Sequence, residues 1–241
     1  MNIRQYCARA LLGLQLGVLA AMPALAMDEE ADAMRNWKHP ELMRALPRTA
    51  ATLEAFVPAG WRIEHRVPGH LDGDSVRDMV LVLRQTDPAN LRRGEPLPED
   101  VEVDLNPRIV LGLVKTAAGY RVVARNDRLI PAPDNEFVSD PLDGVVLEKR
   151  TLRLTISFFA SMGTYYMSTA VFHFKLDDEC LHLVRYEDES LRRNAETVQR
   201  MVVEYAFRDD IDPHQRRGRG KLKPVAGPCF EELGDAWEMR W

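Results

Sequence analysis

The chain has 241 residues, of which 46% are hydrophobic and 29% charged. That is enough apolar material to close a core, which excludes a disordered tail, and the length suits one large domain or two small ones. With 37 acidic against 32 basic residues and a net charge of −5, the chain carries no global basic footprint for nucleic acid.

The first residues read as an export signal. Arg4 and Arg9 sit in a short leader without acids, residues 10–22 are apolar, and Pro23-Ala24-Leu25-Ala26 ends in the small residues a signal peptidase reads. The apolar stretch is short for a membrane span, so the alternative, an uncleaved anchor, is the weaker reading. Residues 1–26 are therefore expected to be a cleaved signal peptide, which places the protein in the periplasm. Cys7 precedes the apolar stretch and is not positioned as a lipoprotein's acylated cysteine.

Residues 27–57 read as a helical segment. Residues 40–46 give one short apolar face, and Leu53, Phe56 and Val57 give another at helical spacing. Pro58-Ala59-Gly60 stops it. From Trp61 the period changes to two. Residues 78–84 form a near-continuous apolar run, as a strand buried on both faces would. Residues 86–107, with four prolines, read as a long loop. Strand signals follow at 108–115, 120–125, 145–148, 152–159, 165–175, 181–187 and 197–207, separated by Ala118-Gly119, by the turn-rich residues 131–144, by Ser161-Met162-Gly163 and by Asp177-Asp178. The expected fold is mainly β, built of consecutive antiparallel hairpins that close as a propeller-like body or a sandwich, with a short N-terminal helical segment. Residues 58–208 form the β domain, and residues 209–241 a basic loop and C-terminal tail.

Beyond the leader the chain has two cysteines, Cys180 and Cys229. In an oxidising compartment they are expected to form one disulfide tying a mid-chain hairpin to the tail, the alternative being two unrelated buried thiols. Their separation excludes a CxxC redox site and a Cys-rich zinc site.

The stretch Gly69-His70-Leu71-Asp72-Gly73-Asp74-Ser75-Val76-Arg77-Asp78 carries acids at alternate positions ahead of an apolar strand. Asp72, Asp74, the Val76 carbonyl and Asp78 occupy positions three, five, seven and nine of a loop that could wrap a hard cation in oxygen. It resembles the integrin-type (FG-GAP) calcium loops of exported β-propeller-like proteins, Gly-Asp-Leu-Asn-Gly-Asp-Gly-x-x-Asp. Two positions depart. His70 replaces the first aspartate, and Ser75 replaces a glycine expected to need a left-handed backbone. The resemblance implies calcium, at a weak or lost site. Through residues 108–111, Gly119-Tyr120, Asn126 and Asp140-Pro141-Leu142-Asp143-Gly144 the chain also resembles small periplasmic proteins of this kind, some of which are immunity proteins neutralising cell-wall-degrading effectors. The resemblance spans residues 58–208. It implies a protein partner, a secreted effector.

Rival readings use the same residues. Gly73-Asp74-Ser75 resembles the nucleophile block of SGNH (GDSL-type) esterases, with Asn126-Asp127 as an Asn block and Asp210 or Asp212 with His214 as the acid–histidine pair. Ala124 stands where that family has glycine, the acid–histidine spacing is wrong by one residue, and Ser75 leads into a strand instead of a helix. A third reading is a structural envelope protein with a calcium-stabilised loop. His173 and His182 would face each other if Asp177-Asp178 were a two-residue turn, although paired strand histidines are more often structural. The basic run from His214 to Lys223 suits an acidic partner or, more commonly, a solvated loop. Phe158, Phe159, Tyr165, Tyr166, Phe172 and Phe174 read as sheet core. Without a GxSxG, HExxH or P-loop pattern, the preferred function is non-catalytic binding through residues 69–78, residues 131–144 and the basic run.

Overall fold

The computed structural model describes residues 40–94, 97–178, 180–195, 197–205, 207, 222–223 and 226–239. The expected signal peptide, residues 27–39 and most of the basic run lie outside the described residues.

Two antiparallel meanders make up the body. The first sheet contains β1 (Thr49–Ala50), β2 (Trp61–Gly69), β3 (Asp78–Gln85), β6 (Arg108–Thr116) and β7 (Gly119–Asn126), in the order β1-β7-β6-β3-β2. Between β3 and β6 the described residues of the long loop form a one-turn 3-10 helix (Pro88–Asn90) and a minimal hairpin of β4 (Leu91–Arg92) and β5 (Val103–Asp104). The second sheet runs in chain order through β8 (Leu142–Glu148), β9 (Thr151–Phe159), β10 (Tyr166–Leu176), β11 (Leu181–Arg192), β12 (Thr197–Tyr205) and β13 (Leu222–Lys223). The last pairs parallel to β12. The two sheets share one core, and the described residues close neither a barrel nor a propeller.

β3 and β6 explain the layering. Val80, Val82, Val110 and Val114 face the second sheet and pack with Leu152, Leu154, Phe172 and Leu183. The alternate residues Leu81, Leu83, Ile109, Leu111 and Leu113 face the other way, onto Leu46 and Phe56. Both faces of these strands are dry, which is why their sequences are continuously apolar instead of alternating. Burying a phenylalanine such as Phe56, with no exposed surface, is worth about 1.5–3 kcal/mol. The N-terminal segment is thus a cover for the outer face of the first sheet.

That cover is less helical than its periodicity predicts. Among its described residues, 40–57, only α1 (Pro40–Ala45) and a 3-10 turn (Glu54–Phe56) form. Thr49 and Ala50 instead pair with Arg121 and Tyr120 as the edge strand β1. Arg48 accepts a further bond from the Val122 amide at 2.9 Å. Backbone hydrogen bonding to an open sheet edge outweighs a weak helical preference over so short a stretch.

A second difference concerns the histidines. The β10–β11 register pairs His173 with Arg185 and Lys175 with His182, so the expected His173–His182 pair does not exist. A β-bulge between His173 and Phe174 shifts the ladder. The turn also takes four residues, 177–180, instead of two, with the Cys180 amide bonded to the Asp177 carboxylate at 3.1 Å.

The C-terminal tail is sewn onto this frame. Asn126, buried at the end of β7, donates to the carbonyls of Phe230 and Leu233 and accepts the amides of Arg128 and Leu129. Phe230 packs edge-on against Phe174 with ring centres 4.9 Å apart. The Cys180–Cys229 disulfide is present, with Cα atoms 5.8 Å apart and the partners 49 positions apart in sequence. Loop closure of that length removes denatured-state entropy, so the double variant Cys180→Ser/Cys229→Ser is expected to lose about 2–4 kcal/mol. Urea unfolding checks it; an unchanged midpoint would show that Asn126 and Phe230 alone hold the tail.

Candidate functional site

The loop at residues 69–78 is tied down by its own acids. Asp78 is fully buried. One of its carboxylate oxygens accepts the amides of Leu71 at 2.7 Å and Asp72 at 3.3 Å, and the other accepts Lys115 of β6 at 2.9 Å. Asp72 accepts the Asp74 amide at 3.0 Å, and Asp74 accepts the Val76 amide at 2.7 Å, two successive Asx turns. Burial, and then the negative charges of Asp78 and Asp74, push the Asp72 carboxyl above its ordinary range, partly offset by the Asp74 amide. His70 lies 3.0 Å from the Val76 carbonyl through Nδ1, and since a carbonyl only accepts, Nδ1–H is the donor. Ser75 takes no left-handed conformation; the glycine expected there is not needed. Gly69 is: a Cβ there would lie 2.5 Å from Leu147, where β2 ends against β8.

The carboxylates of this loop are engaged by its own amides and by Lys115. Calcium takes six to eight oxygens. Here Asp78 is committed to three amides, and the Val76 carbonyl is occupied by the side chain that replaces the first aspartate. Among the carboxylates of the expected ligands, the oxygens that accept no loop amide are the second ones of Asp72 and Asp74. Among the described residues, Cys180, His182 and Cys229 form a compact cluster of metal-type side chains. Its sulfurs are joined in the disulfide, however, and His182 donates through Nδ1 to Gly227 at 2.9 Å while its Nε2 lies 3.1 Å from Asp177.

The residues of the esterase reading are dispersed in role. Ser75 is exposed on the loop. Asn126 is spent on the C-terminal tail, as described above. Asp210, Asp212 and His214 lie outside the described residues. His173 pairs at 3.0 Å with Glu187 on the outer side of the second sheet; burial pulls its pKa down, against the opposing effect of Glu187.

A buried charge cluster joins the two sheets. Glu64 of β2 receives Arg108 through Nε at 2.6 Å and Nη2 at 3.0 Å, and Arg84 at 2.9 Å. Asp140, which enters β8, bridges the same two arginines. Arg84 also reaches Asp104 at 3.0 Å. Burial alone would raise the Glu64 and Asp140 carboxyls, but the bonds and charge of Arg108, assisted by Arg84, hold both below their ordinary range. Through Asp140 the cluster anchors the chain where residues 131–139 run into β8.

Those residues line the feature with the character of a binding site. β10 and β11, 11 and 12 residues long, outreach the first sheet. The uncovered end of their inner face is walled by residues 132–138 and by the tail around Trp237. Between them lies an open cavity of about 740 Å³, within the usual size range of ligand pockets. Its walls include Ile156, Phe158, Ala170, Met201, Trp237 and Met239. Trp237 stands edge-on to Phe158 with ring centres 5.1 Å apart and donates its indole N–H to Ser157 at 3.2 Å, which fixes the wall. Asp188 enters this apolar space from β11. Burial pushes its carboxyl up, and the Tyr186 hydroxyl, at 3.5 Å, only partly offsets that. The β9–β10 turn and the start of β10 expose Met162 (62%), Tyr165 (65%) and Tyr166 (40%), of which Met162 and Tyr166 line the cavity. Of the six aromatics expected in the core, only Phe172 and Phe174 are fully buried; Tyr165 and Tyr166 are not core at all.

Sequence reasoning identified residues 131–144 as a surface of interest but missed Asp188, Trp237 and Met239. One signal was legible. Tyr186, Asp188 and Ser190 alternate on one face of β11, where Tyr186 and Ser190 are buried, and an acid on an inward face marks a cavity or a partner. Comparison with known protein families, curated proteins and solved structures finds no match to this chain.

Proposed function

We propose that the protein is an exported, non-catalytic binding protein of the periplasm, an immunity-type inhibitor that plugs a secreted cell-wall-targeting effector. The observation that carries this is the apolar rim of Met162, Tyr165 and Tyr166 beside an open cavity. Exposed aromatic and methionine side chains at the edge of a concavity mark protein contact surfaces. The rim is held rigidly, since Arg193 donates to the carbonyls of Ala160 and Thr164 and stacks over Phe159. The two consecutive meanders suit a propeller-like ancestry, and the loop at residues 69–78 reads as a lost calcium site.

The test is capture followed by inhibition. Residues 27–241, tagged, are presented to secreted proteins of the source organism, and each captured chain is assayed for peptidoglycan hydrolysis. A stoichiometric partner whose hydrolysis is blocked by the protein, and released at least tenfold by Tyr165→Ala/Met162→Ala, is expected. No capture at low and moderate salt, or capture without inhibition, overturns the reading.

A further inference from the structure

The cavity has an uneven chemistry that its shape alone does not require. Four of its lining residues are acids, Asp134, Asp188, Asp235 and Glu238, and among the described lining residues none is Lys, Arg or His. Asp188 is the member set among apolar walls: its strand neighbours are Ala170 on β10 and Met201 on β12, both of which also line the cavity. Its one hydrogen-bonding partner among the described residues is the Tyr186 hydroxyl. A neutral donor stabilises a carboxylate far less than a cation does. Arg193, near the rim, is already committed to the Ala160 and Thr164 carbonyls.

We infer that the cavity is a binding site for an amphipathic cation, a ligand with an apolar or aromatic body and a single ammonium or guanidinium group. The body takes the space between Phe158, Trp237 and Met239, and the charged head meets Asp188. The chemistry is complementary in both halves. An apolar cavity with one inward charge rewards a ligand that fills the volume and neutralises that charge, and it rejects an anion of the same shape. Aromatic faces at the wall also favour a cation over a neutral head. A free amine and the basic side chain of a protein share this chemistry; the site proposed is for the small molecule.

The experiment uses three probes of one shape on the purified protein: 4-phenylbutylamine, 4-phenylbutanol and 4-phenylbutyrate, titrated by calorimetry. The amine is expected to bind at least tenfold more tightly than the alcohol, and the carboxylate not measurably. Asp188→Asn, which preserves size, is expected to bring the amine down to the alcohol's affinity and leave the alcohol unchanged. Ser168→Trp, which fills the cavity from β10, is expected to abolish binding of both, with retained thermal unfolding showing that the variant folds. Equal affinity for amine and carboxylate, an amine preference that survives Asp188→Asn, or no binding at millimolar concentration overturns the assignment. No effector enters this titration, so its failure leaves the inhibitor reading to its own test, and capture of an effector does not rescue it.

Discussion

Replacing Glu64 by alanine is expected to cost about 3–5 kcal/mol of folding stability, the usual penalty for stranding buried charge. The arginines it serves are hardly exposed, 7% for Arg84 and 3% for Arg108 at the side chain. Arg108 Nη1 is already buried without a hydrogen-bond partner. Without Glu64, Asp140 is the one anion left to Arg108 among the described residues, and it is itself 45% exposed. The diagnostic comparison is the double variant Glu64→Met/Arg108→Met. Removing both partners avoids the stranded charge, so it is expected to be less destabilised than Glu64→Ala, a result that simple loss of packing would not give. The cluster also sets the acid limit of the fold. Glu64 and Asp140 are held below their ordinary ranges, so the folded state binds fewer protons than the unfolded one. Their contribution is complete at neutral pH and is lost as pH falls below about 4, through the depressed values. Thermal unfolding from pH 7 to 3 should show a steep acid limb in the wild type and a shallower one in Glu64→Gln. A single variant within about 0.5 kcal/mol of wild type would place the cluster among neutral surface pairs.

The parts of the fold that the sequence announced are those decided by local pattern. The apolar runs of β3 and β6 predict strands with two dry faces, and the structure supplies both covers, the second sheet and the N-terminal segment. The two cysteines predict the disulfide. The parts that were not legible depend on register or on distant segments. The helical spacing of Leu53, Phe56 and Val57 is real, but the sheet edge at β7 recruits Thr49 and Ala50 just before it. The histidine pairing fails because two extra turn residues put His182 opposite Lys175, while a bulge beyond them sets His173 against Arg185, and no local pattern announces either. The cavity is the clearest case. Asp188 and Trp237 are 49 residues apart and meet only because the tail returns over the second sheet. The loop at residues 69–78 is half legible: its acids and spacing are visible, but what they bind is decided by Lys115 on a neighbouring strand.

That loop carries the second large expectation. Asp78→Ala leaves the amides of Leu71, Asp72 and Lys115 without the fully buried carboxylate they share, and at about 1–3 kcal/mol for each unsatisfied buried group a loss of about 3–5 kcal/mol is expected. Asp78→Asn keeps one carbonyl oxygen and turns the other acceptor into a donor facing amides, so it is expected to lose at least half as much. Urea unfolding measures both, and a loss below about 1 kcal/mol for the alanine variant would mean that the loop does not depend on Asp78. Calcium then separates a structural loop from a metal site. A ligand of the native state alone raises the melting temperature. Millimolar calcium is expected to leave the wild type unchanged, because Asp78 serves amides and His70 occupies the Val76 carbonyl. His70→Asp removes that donor and returns a carboxylate to the first position beside Asp72 and Asp74. This variant should be less stable without calcium, from added repulsion, and should gain a calcium-dependent rise of several degrees. A rise in the wild type that Asp74→Ala abolishes would reverse the assignment. The loop would then be a working cation site, with His70 swinging aside to admit the ion.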